Sequence, residues 1–376
     1  MFSYLIGTAV VIGCHWYLYR RLVSDLELSH QARRVARWTL TAVACVLVAN
    51  GPAGLLLDSW PGDVIGHVSF GWMGLVFVAL MVLILRSVRT STDGKSDSLG
   101  RRALRQLMRR KLTVVCFVIL GVYILIAILG IYGYLPDYQE RVGTPYSPPE
   151  WSLTTILGTD AFGRSVLYKI LAGTQTALTI GFVVSCIAVP IGITLGSIAG
   201  YYGGKIDAFV VWLYTVVVSV PYILTVIAIS YVLGAGMVAI CIAMGMVSWV
   251  SLCRLTRGEF IKHRDRDYVM ASRLLGASDM RLIFRHILPN VVHLAIISGS
   301  LMVLAAMKSE VILTFLGVGI QSGASWGTMI DDAKGELVQE IWWPLTGVVL
   351  AMFFIIYALN VIGDALRDAL DPKLLD

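Results

Sequence analysis

Eight residues from Gly158 to Ser165, GTDAFGRS, lie one substitution away from the pattern G-x-x-x-x-G-K-[ST]. In that pattern backbone N–H groups cradle nucleotide phosphates and a Lys reaches the terminal ones. Nucleotide chemistry fails here on four counts. No strand-like run precedes the segment, Arg164 stands where the compact Lys charge belongs, Asp160 would repel phosphate, and the flanking charges place the segment outside the cytoplasm. The residues read instead as structure. Thr159 is placed to cap a short amphipathic helix running toward Leu171 along the outer interface, with Asp160 in its first turn and Arg164 one turn later as its ion-pair partner.

Other chemistry-bearing residues are scattered. Six cysteines (Cys14, Cys45, Cys116, Cys186, Cys241 and Cys253) sit singly in or beside apolar runs, as small packing residues do. The histidines lack metal-ligand spacing, so no metal site is expected. Lys308 and Glu310 fall inside an otherwise apolar segment, where ionisable groups are costly and face protein or water. Two positions apart on a helix, they cannot face each other. Glu310 either lines a pathway or bonds to a neighbouring helix. Gly192 and Gly196, four apart, mark close helix packing.

The elements that carry these residues are set by hydropathy. Of 376 residues 57% are hydrophobic and 14% charged, and mean hydropathy is +0.78. A soluble domain cannot cover that much apolar surface, so the chain is an all-α, polytopic membrane protein. Its net charge of +6 comes from basic residues set between apolar runs, without the aromatic interleaving of a nucleic-acid patch. Nine runs are long enough to span: Phe2 to Tyr19, Trp38 to Leu57, Val64 to Leu85, Leu112 to Ile131, Thr176 to Ala199, Ile206 to Leu233, Met237 to Cys253, Val291 to Leu316 and Leu345 to Ile362. The first lacks the basic start and small-residue cleavage site of a signal peptide and reads as a retained helix. Basic loops after Tyr19, Leu85 and Cys253 belong in the cytoplasm, which puts Met1 outside and Asp376 inside, in agreement with the odd span count.

The polar stretch from Thr90 to Leu99 is a linker. It divides a three-helix front module, residues 1–89, from a six-helix body that begins at about 111 after the cytoplasmic stretch 90–110. Within the body, the cytoplasmic loop 254–290 is the most informative segment. DYVMASRLLG, from Asp267, is a short helix ended by a Gly suited to the C′ position. Ser278 or Asp279 can cap a second helix, which Pro289 stops before the next span. Two short helices at a sharp angle form a knob for another protein to grip; an ordinary interfacial loop is the alternative.

The run YVMASRLLGASDMRLIFRHILPN resembles the cytoplasmic EAA-loop signature of binding-protein-dependent ABC importer permeases: E-A-A, three residues, Gly, and about ten residues on a hydrophobic stretch closed by Pro. The matching positions are Met270, Ala271, Ser272, Gly276, Ile287, Leu288 and Pro289. Met270 and Ser272 replace the Glu and the second Ala. LGTDAFGRSVLYKILAGTQTALTIG, GSIAGYYGGKIDAFVVWLYTVVVSVP, EVILTFLGVGIQSGASWGTMI and NVIGDALRDALDPKL are similar in order and spacing to the C-type permease subunit of oligopeptide and dipeptide importers. The resemblance covers roughly Gly100 to Leu374. In that family GTDxxGR marks the outer segment, so Gly158, Thr159, Asp160, Gly163 and Arg164 form an outer-face motif, and Glu310 falls on a Glu position of the family pattern.

The resemblance implies a six-helix type I importer core with about three additional N-terminal helices. It implies a homologous second (B-type) permease, two cytoplasmic ABC ATPases that bind ATP and Mg, an extracytoplasmic binding protein, and di- or oligopeptide cargo. This chain, in the bacterial inner membrane, would bind no cofactor or nucleic acid and carry no catalytic residue. Coupling to the ATPases would run through Asp267, Tyr268, Ala271, Ser272, Arg273, Gly276, Ala277 and Pro289. Family cargoes also include glutathione, antimicrobial peptides and nickel chelates. The front module faintly resembles the membrane anchor of some metallophosphoesterases, through HWYLYRRLV and GWMGLVFVALMVL, without their metal cluster. The rival classes are an ATP-independent secondary transporter or channel and a membrane-anchored enzyme; inverted repeats, clustered intramembrane acids and a polar constellation, which these need, are missing from the sequence.

Overall fold

A computed structural model describes residues 107, 110–234, 236–320 and 323–370. These belong to the second of two units into which the chain divides, Arg86–Asp376. The front module, its three expected spans and both chain ends lie outside the described residues.

Among the described residues the fold is all-α. Helix α1 (Lys111–Ile131) is followed by a 34-residue irregular stretch and then α2 (Val166–Tyr202), α3 (Gly204–Val218), α4 (Tyr222–Leu233) and α5 (Met237–Arg264). Two short helices, α6 (Asp267–Leu274) and α7 (Asp279–Arg281), lead through a π-helical turn (Leu282–Ile287) into α8 (Leu288–Phe315). Helices α9 (Trp326–Val338) and α10 (Trp343–Leu370) complete it. Five helices are long and apolar enough to cross a membrane, and a sixth crossing requires α3 and α4 to act as one span.

That pair covers the expected span Ile206 to Leu233 and shows that it is broken in the middle. The two helices meet at 87° around Ser219–Pro221. Pro221 supplies no N–H and its ring fixes its own φ, at −55°, just ahead of α4, while the Ser219 hydroxyl donates to the Val216 carbonyl at 2.7 Å, closing α3. A hydropathy sum over the segment does not register this break.

The central packing is α2 against α5. A side chain at Gly192 would meet the Trp249 carbonyl at 2.9 Å, one at Gly196 the Cys253 carbonyl at 2.6 Å, and one at Gly200 the Arg257 carbonyl at 2.6 Å. Glycines every four residues therefore let two backbones touch over two turns. The expected packing role of Gly192 and Gly196 holds, with Gly200 extending the stripe. Cys116, Cys241 and Cys253 are buried packing residues, whereas Cys186 is exposed on its helix.

Because α2 is 37 residues long, its two ends stand about 55 Å apart. The GTDAFGR motif lies at its start and the loop after α5 packs at its end. The same helix thus separates the two regions on which function rests.

Candidate functional site: the elbow and the motif end

Helix α6 ends in a Schellman turn. The Ala277 N–H donates to the Ser272 carbonyl at 3.1 Å and the Gly276 N–H to the Arg273 carbonyl at 3.0 Å, with Gly276 at φ +83° in the C′ position. Nothing lies within 4 Å of where a Gly276 side chain would project, so its glycine is required by torsion and not by space. Beyond it, the expected second helix is absent as a separate element. Three α-helical residues pass into the π turn and directly into α8, with Pro289 in the first turn of α8 instead of stopping anything. Proline is tolerated there because its missing N–H falls where the wider π turn has already changed the bonding register. The Asn290 side chain donates to the His286 carbonyl at 2.8 Å, satisfying an acceptor in this stretch.

The elbow is seated on the membrane helices by an apolar cluster of Tyr201, Phe260, Val269, Leu282, Ile283, Ile287 and Val291. Polar bonds lock its rim. The Tyr201 hydroxyl donates to Asp279 at 2.6 Å, Arg273 donates to Tyr201 at 3.3 Å, and the Tyr268 hydroxyl pairs with His263 at 2.8 Å. Asp207 on α3 accepts two bonds from Arg257 on α5, one of them at 2.6 Å, beside this seat. The opposite side of the elbow is bare. Leu274 and Leu275 are each 89% exposed, and Met270, Met280 and Phe284 are also exposed. One face grips the bundle and the other offers large apolar side chains at the loop tip. Asp267 stands in the first turn of α6, Ala271 and Ser272 lie along it, and the Ser272 hydroxyl donates to the Tyr268 carbonyl at 2.8 Å.

At the other end of α2 the motif forms a knot of turns, which corrects the expected Thr159-capped helix. Helix α2 begins at Val166 with Ser165 as its cap, and runs unbroken into the span. Thr159 is fully buried; its hydroxyl donates to the Thr144 carbonyl and accepts from the Ser147 N–H, both at 2.7 Å. Asp160 accepts from the N–H groups of Phe162 and Arg164 at 2.9 Å each. Its cationic partner is Lys169 at 3.4 Å, while the Arg164 guanidinium lies over the Phe162 ring at 4.5 Å. The Asp160–Arg164 ion pair is therefore absent, because the carboxylate is spent on the turn's own backbone. Gly158 and Gly163 hold φ of +73° and +74°. The indole N–H of Trp343, at the start of α10, donates to the Thr159 carbonyl at 3.1 Å, fastening the knot to the last span.

Glu310 is fully buried in α8 near the same end. Its Oε1 accepts from the Thr314 hydroxyl one turn on, at 2.9 Å, and its Oε2 is buried without a partner among the described residues. Lys308 is exposed, on another face. Lys169, Asp332 and Glu336 complete a charged cluster with Asp160 that sequence spacing did not single out, since Lys169 and Asp332, bonded at 3.1 Å, are far apart along the chain. Burial pushes the Glu336 carboxyl up to about 6, opposed by Lys169 and reinforced by Asp332 and Asp160.

Comparison with known proteins adds lineage to this geometry. The family model described as the binding-protein-dependent transport system inner membrane component matches residues 192–376, and that of the N-terminal membrane domain of oligopeptide transport permease C matches 98–149. The dipeptide transport system permease protein of Bacillus subtilis (strain 168) is 34% identical over 289 residues, 76% of this chain and 89% of the relative. The oligopeptide transport system permease of the same organism is 34% identical over 288 residues, covering 74% and 92%. The glutathione transport system permease of Pectobacterium atrosepticum is 33% identical over 290 residues, covering 74% and 94%. The chain belongs to the ABC importer permeases of the binding-protein-dependent family, on their peptide-transport branch.

Proposed function

We propose that this chain is the C-type permease subunit of an ATP-driven importer of di- and oligopeptides, forming the translocation path with a second permease. The observation that carries this reading is the two-faced elbow: buried side chains seat it on the ends of α2, α5 and α8, while Leu274 and Leu275 project outward. ATPases closing on the outward face would push the seat as a rigid body and tilt the spans. The chain itself is non-catalytic, and ATP and Mg are held by the partner subunits. A binding protein delivers cargo to the motif end, which faces outward, while the elbow and C-terminus face the cytoplasm of the bacterial inner membrane. Residues 1–89 act as an added membrane module that the six-span body does not need for assembly.

The test is uptake of a labelled dipeptide into proteoliposomes holding the complex purified through this chain, with and without ATP. Accumulation that requires ATP and the co-purified ATPases supports the importer. Accumulation indifferent to ATP would make the chain a secondary carrier. A tripeptide such as glutathione is the second cargo to try, given the similarity to the Pectobacterium permease.

A further inference from the structure

Beside the motif knot lies an open cavity of about 450 Å³, bordered by Tyr138, Phe162, Arg164, Lys169, Asp331 and Asp332 among others. The volume is in the range of small-ligand sites, roughly 300 to 1,000 Å³. Its charged walls are nearly all engaged internally. Lys169 bonds Asp160 at 3.4 Å and Asp332 at 3.1 Å, and Asp331 is held by Lys334 at 2.5 Å. Arg164 is different: among the described residues no carboxylate lies within ion-pair distance of it. Its guanidinium carbon lies over the Phe162 ring, 4.5 Å from the ring centre, and no side-chain hydrogen bond engages its N–H groups among the described residues. The cavity therefore presents one cation with unmet hydrogen-bonding capacity.

We propose that this cavity is a way-station for the cargo, in which Arg164 binds the carboxylate terminus of a short peptide. A planar guanidinium matches a carboxylate in two parallel hydrogen bonds, and the contact with the Phe162 ring restrains the side chain before the ligand arrives. The ligand's ammonium end meets the exposed sides of Asp331 and Asp332, which remain 46% and 55% exposed beside their partners Lys334 and Lys169. Tyr138 and Phe162 provide apolar surface for the side chains between. A carboxylate on the surface of a docking protein is the competing occupant. Concavity, at a volume that suits a small ligand, favours the peptide. The proposal rests on the peptide-importer reading and adds a cargo contact on this chain.

The experiment uses the complex in nanodiscs without binding protein, and radiolabelled trialanine in equilibrium dialysis against unlabelled trialanine and trialaninamide. Trialanine should bind saturably, and the amide about 10- to 100-fold more weakly, the scale expected for loss of a charge-assisted pair. Arg164→Gln should cost the free acid that same factor without affecting the amide, and Arg164→Lys should restore part of it. Equal binding of acid and amide by the unaltered complex overturns the proposal, and this comparison decides the matter if the Gln variant does not reach the membrane. Absence of trialanine binding, in a complex that still imports trialanine with its binding protein and ATP, also overturns it while leaving the importer reading intact. Absence of both binding and import removes the importer reading and this inference together.

Discussion

The two ends of α2 carry glycines at similar positive φ under opposite constraints. At the motif end, a side chain on Gly158 would strike the Trp343 indole at 2.6 Å and the Ser147 carbonyl at 2.7 Å. At the elbow, a side chain on Gly276 would meet nothing. The first glycine is fixed by packing and torsion together, inside a knot tied by hydrogen bonds between its own backbone groups. The second is fixed by torsion alone, at the tip of a segment with one face uncovered. The motif end is built to hold a shape, and the elbow is built to be held by something else.

The largest effect that would test this contrast comes from Gly158→Val. Torsional strain and overpacking together should cost on the order of 3 kcal/mol or more, and the complex should be lost from membranes or show a sharply lowered melting temperature. A normal level and melting temperature would mean that the knot yields, contrary to the comparison. The paired change Leu274→Asp with Leu275→Asp should behave in the reverse way. Both positions are exposed, so stability should move by no more than about 0.5 kcal/mol per site, while retention of ATPase on purification falls more than about tenfold. A folding defect there would show that the ridge packs within this chain.

A smaller effect concerns pH at the motif end. Glu336 takes up its proton more readily in the folded chain, at about 6, than when unfolded, because burial disfavours the charge. Its contribution is therefore neutral below the ordinary carboxylate range, turns unfavourable as pH rises through that range, and levels off above about 6, at roughly 2 kcal/mol. Glu336→Gln should raise the melting temperature at pH 7.5 and leave it nearly unchanged at pH 4.5. An equal rise at both values would mean that ionisation is not the cause.

Legibility from sequence followed the same divide. Among the described residues the spans were visible because membrane length and hydropathy leave few alternatives, and the spacing of Gly192 and Gly196 announced close helix packing without naming the partner, α5. Gly276 was legible because a C′ glycine acts within its own turn. What escaped depended on distant partners or on bonding register. The Thr159 hydroxyl serves Thr144 and Ser147 instead of a helix end, and Lys169 reaches both Asp160 and Asp332. Pro289 looked like a stop because the π turn ahead of it cannot be read from composition. The break at Pro221 was missed because apolar residues continue on both sides. Glu310 stood out as an acid in an apolar span, and its partner Thr314 sits one turn further along the same helix.

The central claim, that the elbow transmits force because its torsion aims it, is tested most directly by comparing Gly276→Val with Gly276→Asn in ATP-driven dipeptide uptake. Asn adopts the left-handed region readily, whereas a β-branched residue does so only with strain of about 1 to 3 kcal/mol, and neither meets a neighbour here. The account predicts that both variants reach the membrane at normal levels, that the Asn variant transports, and that the Val variant loses uptake while its ATPases are shed or hydrolyse without transport. Normal, ATP-coupled uptake by the Val variant with full ATPase retention would contradict it.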